Sequence, residues 1–439
     1  MKRLLLEKLK NWQKQPSRKP LILEGARQVG KTYLLEQFGR TQFQRYHLLD
    51  FTEDSELHKQ FEIDLKPERI IRDLSVYLDT DIDIEKDLII FDEIQACSQA
   101  VTALKYFYKK YPNMYLCASG SFLGLGLNEG SFPVGKVERH TLFPMTFYEF
   151  LLACDEKRLV ELIDAVTLKD PITGVLHNKL WSYLKLYFIT GGLPEVVQCF
   201  LDNNEKINHA FSLVRELHKT LVKSYMDDFA KHSGKIKAVK IEAVFKSIPK
   251  QIAKENNEIK KFVFKGVLPV GSKYANLEAP IQWLIKAGLI HKVPICHVAH
   301  QPLEAYTTEN KFKLYLFDIG ILGSIVNLSP KTIYEQSYGS HKGYFAENYL
   351  LQELITQFNR TIFSWHRNTA EIEFLLEHEG IVIPIEVKAG INTKAKSLKV
   401  YQEKYKPEKA IIFSGQEMNI LKDKQYLPLY LSSKIPMGD

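Results

Sequence analysis

Gly25-Ala26-Arg27-Gln28-Val29-Gly30-Lys31-Thr32 has the residue types and spacing of a phosphate-binding loop. A triphosphate needs backbone N–H groups curled around its oxygens, and a glycine-rich turn feeding a helix N-terminus presents them. Lys31 then reaches the β- and γ-phosphates and Thr32 ligates Mg²⁺, so the expected ligand is ATP with Mg²⁺. Some sixty residues later, Asp87-Leu88-Ile89-Ile90-Phe91-Asp92-Glu93 reads as a buried strand ending in two carboxylates. Such a strand delivers Asp92 to the edge of the sheet where the phosphates sit, as a holder of Mg²⁺. Glu93 is placed to orient and deprotonate the attacking water, which argues for hydrolysis rather than storage of the nucleotide. A third apolar run, 114–118, ends in Ser119-Gly120-Ser121, and Ser119 is the candidate to sense the γ-phosphate; a plain strand-to-loop turn would use the same residue types.

A second constellation lies near the C-terminus. Glu347 falls on a predicted helix, Glu373 on a strand over 371–376, and Glu386 and Lys388 on a strand over 383–388. Residues two apart on a strand share a face, and a hairpin from Glu373 brings its carboxylate alongside Glu386 and Lys388. Carboxylates with a lysine are suited to binding Mg²⁺ or Mn²⁺ and to stabilising an attacked phosphodiester. A salt bridge on an exposed strand face accounts for Glu386 and Lys388 alone; Glu347 and Glu373 are what point to a metal.

These residues need elements to hold them. Strand signals at 21–24, 46–51, 88–91 and 114–118 alternate with helical stretches after Lys31, to about Leu78 and over 100–110. That alternation predicts an α/β fold, a P-loop parallel sheet with helices on both faces, over 1–150. The glycines of 124–130 suggest a loop near the nucleotide, and Lys136 and Arg139 after it are candidates to act on a neighbouring subunit's phosphate in a homo-oligomer. Apolar residues at three and four spacing over 150–154, 160–166 and 180–189 predict a helical lid over 151–232, interrupted by Gly191-Gly192-Leu193-Pro194. Helices over 241–255 and 279–287, then a strand continuing to Val298, give 233–330 the outline of a winged-helix-like domain. Residues 331–439 hold the second constellation.

With 45% apolar and 25% charged residues, the composition is that of a globular protein, and 439 residues are too many for one core. No run of eighteen apolar residues predicts a membrane span. The N-terminus breaks its short apolar stretch with charge, as an amphipathic helix does and a signal peptide does not. Five scattered cysteines, at 97, 117, 154, 199 and 296, form no CxxC pair and suit a reducing cytoplasm. Net charge is +7, but thirteen lysines against four glutamates between Lys231 and Lys292 give that segment +9 and leave the remainder at −2. A positive module of this kind neutralises nucleic-acid phosphates, unless it is only a solvated helix surface.

The chain resembles a group of bacterial and archaeal AAA-type ATPases that carry a C-terminal domain of unknown function. The resemblance covers nearly the whole length and rests on GARQVGKT at 25–32, LIIFDEIQ at 88–95, SGS at 119–121 and PMTFYEF at 144–150. It continues through GGLPEVV at 191–197, FKLYLFDIGIL at 312–322, AENYLLQEL at 346–354 and IPIEVKAG at 383–390. It implies an AAA-type nucleotide domain, a helical lid, a winged-helix-like middle and a small α/β C-terminal fold similar to restriction-endonuclease-like PD-(D/E)xK nucleases. On that resemblance Lys31, Thr32, Asp92 and Glu93 match the ATPase machinery, and Glu347, Glu373, Glu386 and Lys388 match the nuclease pattern. Glu373 stands where that pattern has aspartate, which moves the carboxylate by about one methylene, roughly 1.5 Å.

Two readings follow. In the first, an ATPase couples nucleotide-driven rearrangement to nucleic acid, DNA ahead of RNA, with a metal-dependent nuclease at its C-terminus. In the second, a non-cutting switch uses ATP to control binding of a protein partner.

Overall fold

The computed structural model describes residues 1–121, 132–253, 261–335, 342–388, 396–421 and 424–435. The expected glycine loop over 124–130, part of the lysine-rich segment and the last two residues of the 383–390 motif lie outside them. The chain divides into two compact units, 1–143 with 286–288 and 144–285 with 289–439.

The first unit is built on five parallel strands: β1 (Leu21–Gly25), β2 (Tyr46–Asp50), β3 (Leu88–Asp92), β4 (Tyr115–Ser121) and β5 (Glu138–Thr141). Their order is β2-β3-β4-β1-β5. Every residue of β1 and β3 is buried, as a continuous apolar run requires when helices cover both faces. Beneath β3, Phe51, Phe61, Phe91 and Phe107 meet edge to face with centroids 5.5 to 6.1 Å apart. Because all five strands run one way, their carboxyl ends share one edge, and the register there sets Gly25 beside Ser121 and Phe91 beside Ala118. The α/β P-loop architecture is the one the sequence predicts. β5 is an addition. Its four residues show no apolar alternation, and only pairing with β1 makes them a strand.

The second unit begins with helices Phe147–Ala153, Lys157–Ala165, Gly174–Thr190, Pro194–Asn203, Ile207–Ser233 and Lys235–Ile252. Helix Tyr274–Lys286 follows, and then an eight-stranded mixed sheet. Its strands are β6 (Ile290–Cys296), β7 (Thr307–Leu316), β8 (Phe363–Arg367), β9 (Ala370–His378), β10 (Ile381–Val387), β11 (Ala410–Ser414), β12 (Asn419–Leu421) and β13 (Lys424–Pro428). The spatial order is β12-β13-β11-β10-β9-β8-β6-β7. β6, the strand expected before Val298, pairs antiparallel with β7, and it also pairs in parallel with β8 through Ile295–Ser364 and Cys296–Trp365. One sheet therefore joins the 233–330 segment to the 331–439 segment. β8, β9 and β10 form an antiparallel meander, and helix Lys396–Tyr405 carries the chain to β11, parallel to β10.

Four of the motifs that carry the resemblance, at 144–150, 191–197, 312–322 and 346–354, converge inside this unit. Met145 N donates to the carbonyl of Gly192 at 2.7 Å, and a Cβ on Gly192 would overlap the Met145 backbone. Asp318 accepts from Gly192 N at 2.7 Å and caps helix Ile319–Ile325 through Ile321 N at 3.0 Å. Gln352 accepts from Ile319 N at 3.1 Å and donates to the Tyr187 hydroxyl at 2.8 Å. Glu353 accepts from Phe147 N at 2.9 Å. Burial pushes the Glu353 carboxyl up to about 8 and that of Asp318 to about 6.

Candidate functional site

The loop after β1 turns through left-handed backbone at Gln28 (φ 65°) and Gly30 (φ 89°) and then enters helix Lys31–Gln42. Alternation of this kind curls successive N–H groups inward as an anion cradle. Gly25 has no room for a side chain, since a Cβ would overlap the carbonyl of Leu142. Lys31 is buried, and its ammonium donates to the carbonyls of Ala26 at 2.9 Å and Gly25 at 3.3 Å, within its own loop. Burial lowers its pKa, while the charges of Glu93 and Asp92 pull it back up.

Asp92, at the end of β3, collects the other groups. Its Oδ2 accepts from Thr32 Oγ1 at 2.8 Å and its Oδ1 accepts from the Ser119 hydroxyl on neighbouring β4. Thr32, Asp92 and Ser119 therefore touch, with Lys31 and Glu93 each one residue away along the chain. Glu93 itself sits at φ 46°, a strained position for a non-glycine residue. Its carboxylate accepts from the Gln95 side chain. Hydroxyl and carboxylate oxygen are the donors Mg²⁺ takes, so Thr32 and Asp92 fit that ion.

Arg139 lies on β5, and its guanidinium pairs with Glu24 of β1, so the charge considered for a neighbouring phosphate is engaged within its own unit. Lys136 lies over the Tyr108 ring at 5.7 Å. Arg3 was not singled out by sequence reasoning. It is only 6% exposed and donates to the phosphate-loop carbonyl of Val29 at 2.8 Å and to Phe143 O at 2.5 Å. Its signal was weak: one cation in a charged N-terminus.

In the second unit, Glu347 lies on helix Lys342–Phe358, Glu373 on β9, Glu386 on β10 and Lys388 just past it. The Lys388 ammonium pairs with the fully buried Glu386. Glu373 accepts from Val387 N at 3.3 Å, and Tyr315 of β7 donates to Glu347 at 2.9 Å. Burial, then the charges of Glu347 and Glu386, raise the Glu373 carboxyl well above the usual range, against Lys388 and Lys313. All four residues thus share one electrostatic neighbourhood. Among the described residues, however, no three carboxylate, imidazole or thiol groups are arranged to hold a metal ion. Two residues the sequence argument passed over belong here: Lys313 of β7, 2% exposed and ion-paired with Glu371 of β9. A lysine inside the apolar run 312–317 was the signal that could have found it.

Among the described residues no helix is long and apolar enough to cross a membrane. The exposed lysines of the basic segment include Lys237, Lys246, Lys250, Lys261, Lys265 and Lys273.

Residues 17–151 match an AAA domain, 182–332 a domain of unknown function (DUF8612) and 342–432 another (DUF4143). An uncharacterized protein of Methanocaldococcus jannaschii is 24% identical over 227 residues, which are 49% of this chain and 46% of that protein. The match thus spans about half the length of that relative. Among solved structures, the Walker-type ATPase of Pyrococcus abyssi aligns at a TM-score of 0.43 and 16% identity, covering 73% of this chain and 94% of that one. The RuvB Holliday junction branch migration motor of Thermotoga maritima aligns at 0.30 and 16%, covering 66% and 87%.

Proposed function

Because the chain carries an AAA-type P-loop ATPase domain followed by two domains of unknown function, we propose that it binds and hydrolyses ATP and couples that cycle to nucleic acid held by the 231–292 segment. The observation that carries the ATP reading is the meeting of Thr32 and Ser119 on the two oxygens of Asp92, at the carboxyl edge of adjacent strands. In this reading the loop 25–30 cradles the phosphates with its N–H groups, and Lys31 leaves its loop carbonyls for the γ-phosphate. Thr32 and Asp92 would hold Mg²⁺, which would supply charge neutralisation to the phosphates. Glu93 orients water and accepts its proton, and Ser119 reports the γ-phosphate through Asp92. Glu93→Gln keeps ATP bound and loses turnover; turnover at the wild-type rate removes Glu93 from that role.

For nucleic acid the support is the run of exposed lysines. A chain neutralising several phosphates loses DNA affinity steeply as salt rises, with a logarithmic slope of about −0.9 per phosphate. Binding that is flat with salt, or absent at low salt, counts against this part. A second reading, an ATP-controlled switch on a protein partner, is favoured by one observation: Ile236, Val239, Val263 and Val270 are exposed in the same segment. Nuclease chemistry at Glu347, Glu373, Glu386 and Lys388 has less support, since Lys388 already neutralises Glu386.

A further inference from the structure

We propose that the ammonium of Lys313 holds, inside the C-terminal carboxylate cluster, the place a divalent cation would need, so that the folded chain excludes Mg²⁺ and Mn²⁺ from it. The proposal goes beyond the ATP and nucleic-acid reading, which requires no metal at this cluster, and it stands or falls separately.

Four carboxylates, Glu347, Glu371, Glu373 and Glu386, are gathered from one helix and two strands. A cluster of that charge cannot be buried unneutralised. Two lysines offset two of these charges, and burial raises the Glu373 carboxyl toward its neutral form. Lys388 takes Glu386, and Lys313, reaching in from β7, takes Glu371. Lys313 is the more deeply buried of the two, with 2% of its side chain exposed against 25%. Desolvation alone would discharge it, but the fields of Glu371, Glu347 and Glu373 outweigh that cost and keep it protonated. Its neighbour on the same strand face, Tyr315, spends its hydroxyl on Glu347 at 2.9 Å. Val387 N does the same for Glu373. Each of the four carboxylates therefore has a partner among the protein's own groups, while Glu386 Oε2 is buried without a hydrogen-bond donor.

A small cavity lies beside Glu347, at one edge of the cluster. The cavity lined by Lys313, Tyr315 and Glu347 measures about 30 Å³ and is bounded by Gln251, Ile252, Lys261 and Phe262. That volume suits a water or two. Mg²⁺ keeps several of its waters when bound to protein. It would also have to sit beside an ammonium, with the exposed Lys261 adding a third positive charge at the wall.

The test is Mn²⁺ binding to the full chain without nucleotide, followed by the electron paramagnetic resonance signal of the free ion at neutral pH, for wild type, Glu373→Gln, Lys313→Met and the Lys313→Met/Glu373→Gln double variant. The expected result is no Glu373-dependent Mn²⁺ in the wild type. Lys313→Met then gains one Mn²⁺ per chain, and adding Glu373→Gln weakens that binding at least tenfold. Mn²⁺ bound by the wild type and lost in Glu373→Gln overturns the proposal. So does a Lys313→Met variant that unfolds like the wild type and binds none. If Lys313→Met does not fold, Lys313→Gln repeats the gain-of-binding arm, and the wild-type arm decides in either case. Loss of ATP turnover in any variant leaves this result untouched.

Discussion

The phosphate loop and the C-terminal cluster are both collections of lysine and carboxylate at strand ends, yet they spend their charges differently. Lys31 is held by two carbonyls of its own loop, and Asp92 by two hydroxyls. None of these is a fixed ion pair, so a triphosphate can take the lysine without breaking one. In the C-terminal cluster Lys388 and Lys313 are each matched to a carboxylate, Glu386 and Glu371. Charges held ready for a ligand and charges consumed by the fold look alike in sequence; the partner of each lysine tells them apart.

The largest expected effect on the nucleotide side is that of Glu93→Gln. Removing a general base costs on the order of 10²- to 10⁴-fold in turnover, read in a steady-state phosphate-release assay, with ATP binding retained. Loss of both together would mean that Glu93 holds the loop rather than the water. The comparison itself is tested by a matched pair of lysine variants. Lys31→Ala is expected to lose ATP while the chain unfolds near the wild-type temperature, because only carbonyls lose a donor. Lys388→Ala strands the buried Glu386 and should destabilise the second unit by on the order of 3 kcal/mol, visible in thermal unfolding. Equal effects of the two on stability would break the distinction.

Arg3→Ala comes next. It removes two charge-assisted bonds from the backbone of the phosphate loop and its neighbour, worth about 2 kcal/mol together after relaxation. It should raise the KM for ATP more than it lowers kcat. A change confined to kcat would assign Arg3 to the chemical step.

The last effect is on pH. The Glu353 carboxyl is raised to about 8 in the folded chain by burial, from an ordinary value near 4.5. The folded state therefore binds the extra proton between those values. The stability this contributes is fully present below the ordinary value and is lost as pH rises through about 8. Melting of the second unit should accordingly fall between pH 6 and pH 9, and Glu353→Gln, which keeps an acceptor for Phe147 N, should flatten the decline. An unchanged slope in that variant would place the titrating group elsewhere, with Glu373 next in line.

Much of the first unit was legible because its signals are local. A glycine-rich turn fixes its own backbone, and an apolar run with a terminal aspartate needs only to be a strand for Asp92 to reach the phosphate edge. β5 was not legible, since Glu138–Thr141 has no alternation and becomes a strand by lying against β1. In the second unit, period-two alternation put Glu386 and Lys388 on one face correctly. It could not show that Lys313 and Tyr315, some seventy residues earlier, reach the same cluster.

What the sequence by itself determined is therefore local geometry: the glycine-rich loop 25–32 and the strand ends that carry Asp92, Glu93 and Ser119, each specified within a few residues of its own strand. The tertiary structure alone decided which charges remain free to serve a ligand. It joined β6 to β8 in one sheet, carried Lys313 into the carboxylates and set Arg3 beneath the phosphate loop. The physical reason is that backbone conformation is governed by neighbours in sequence, whereas neutralisation of a buried charge is governed by whatever the fold brings within a few ångströms of it.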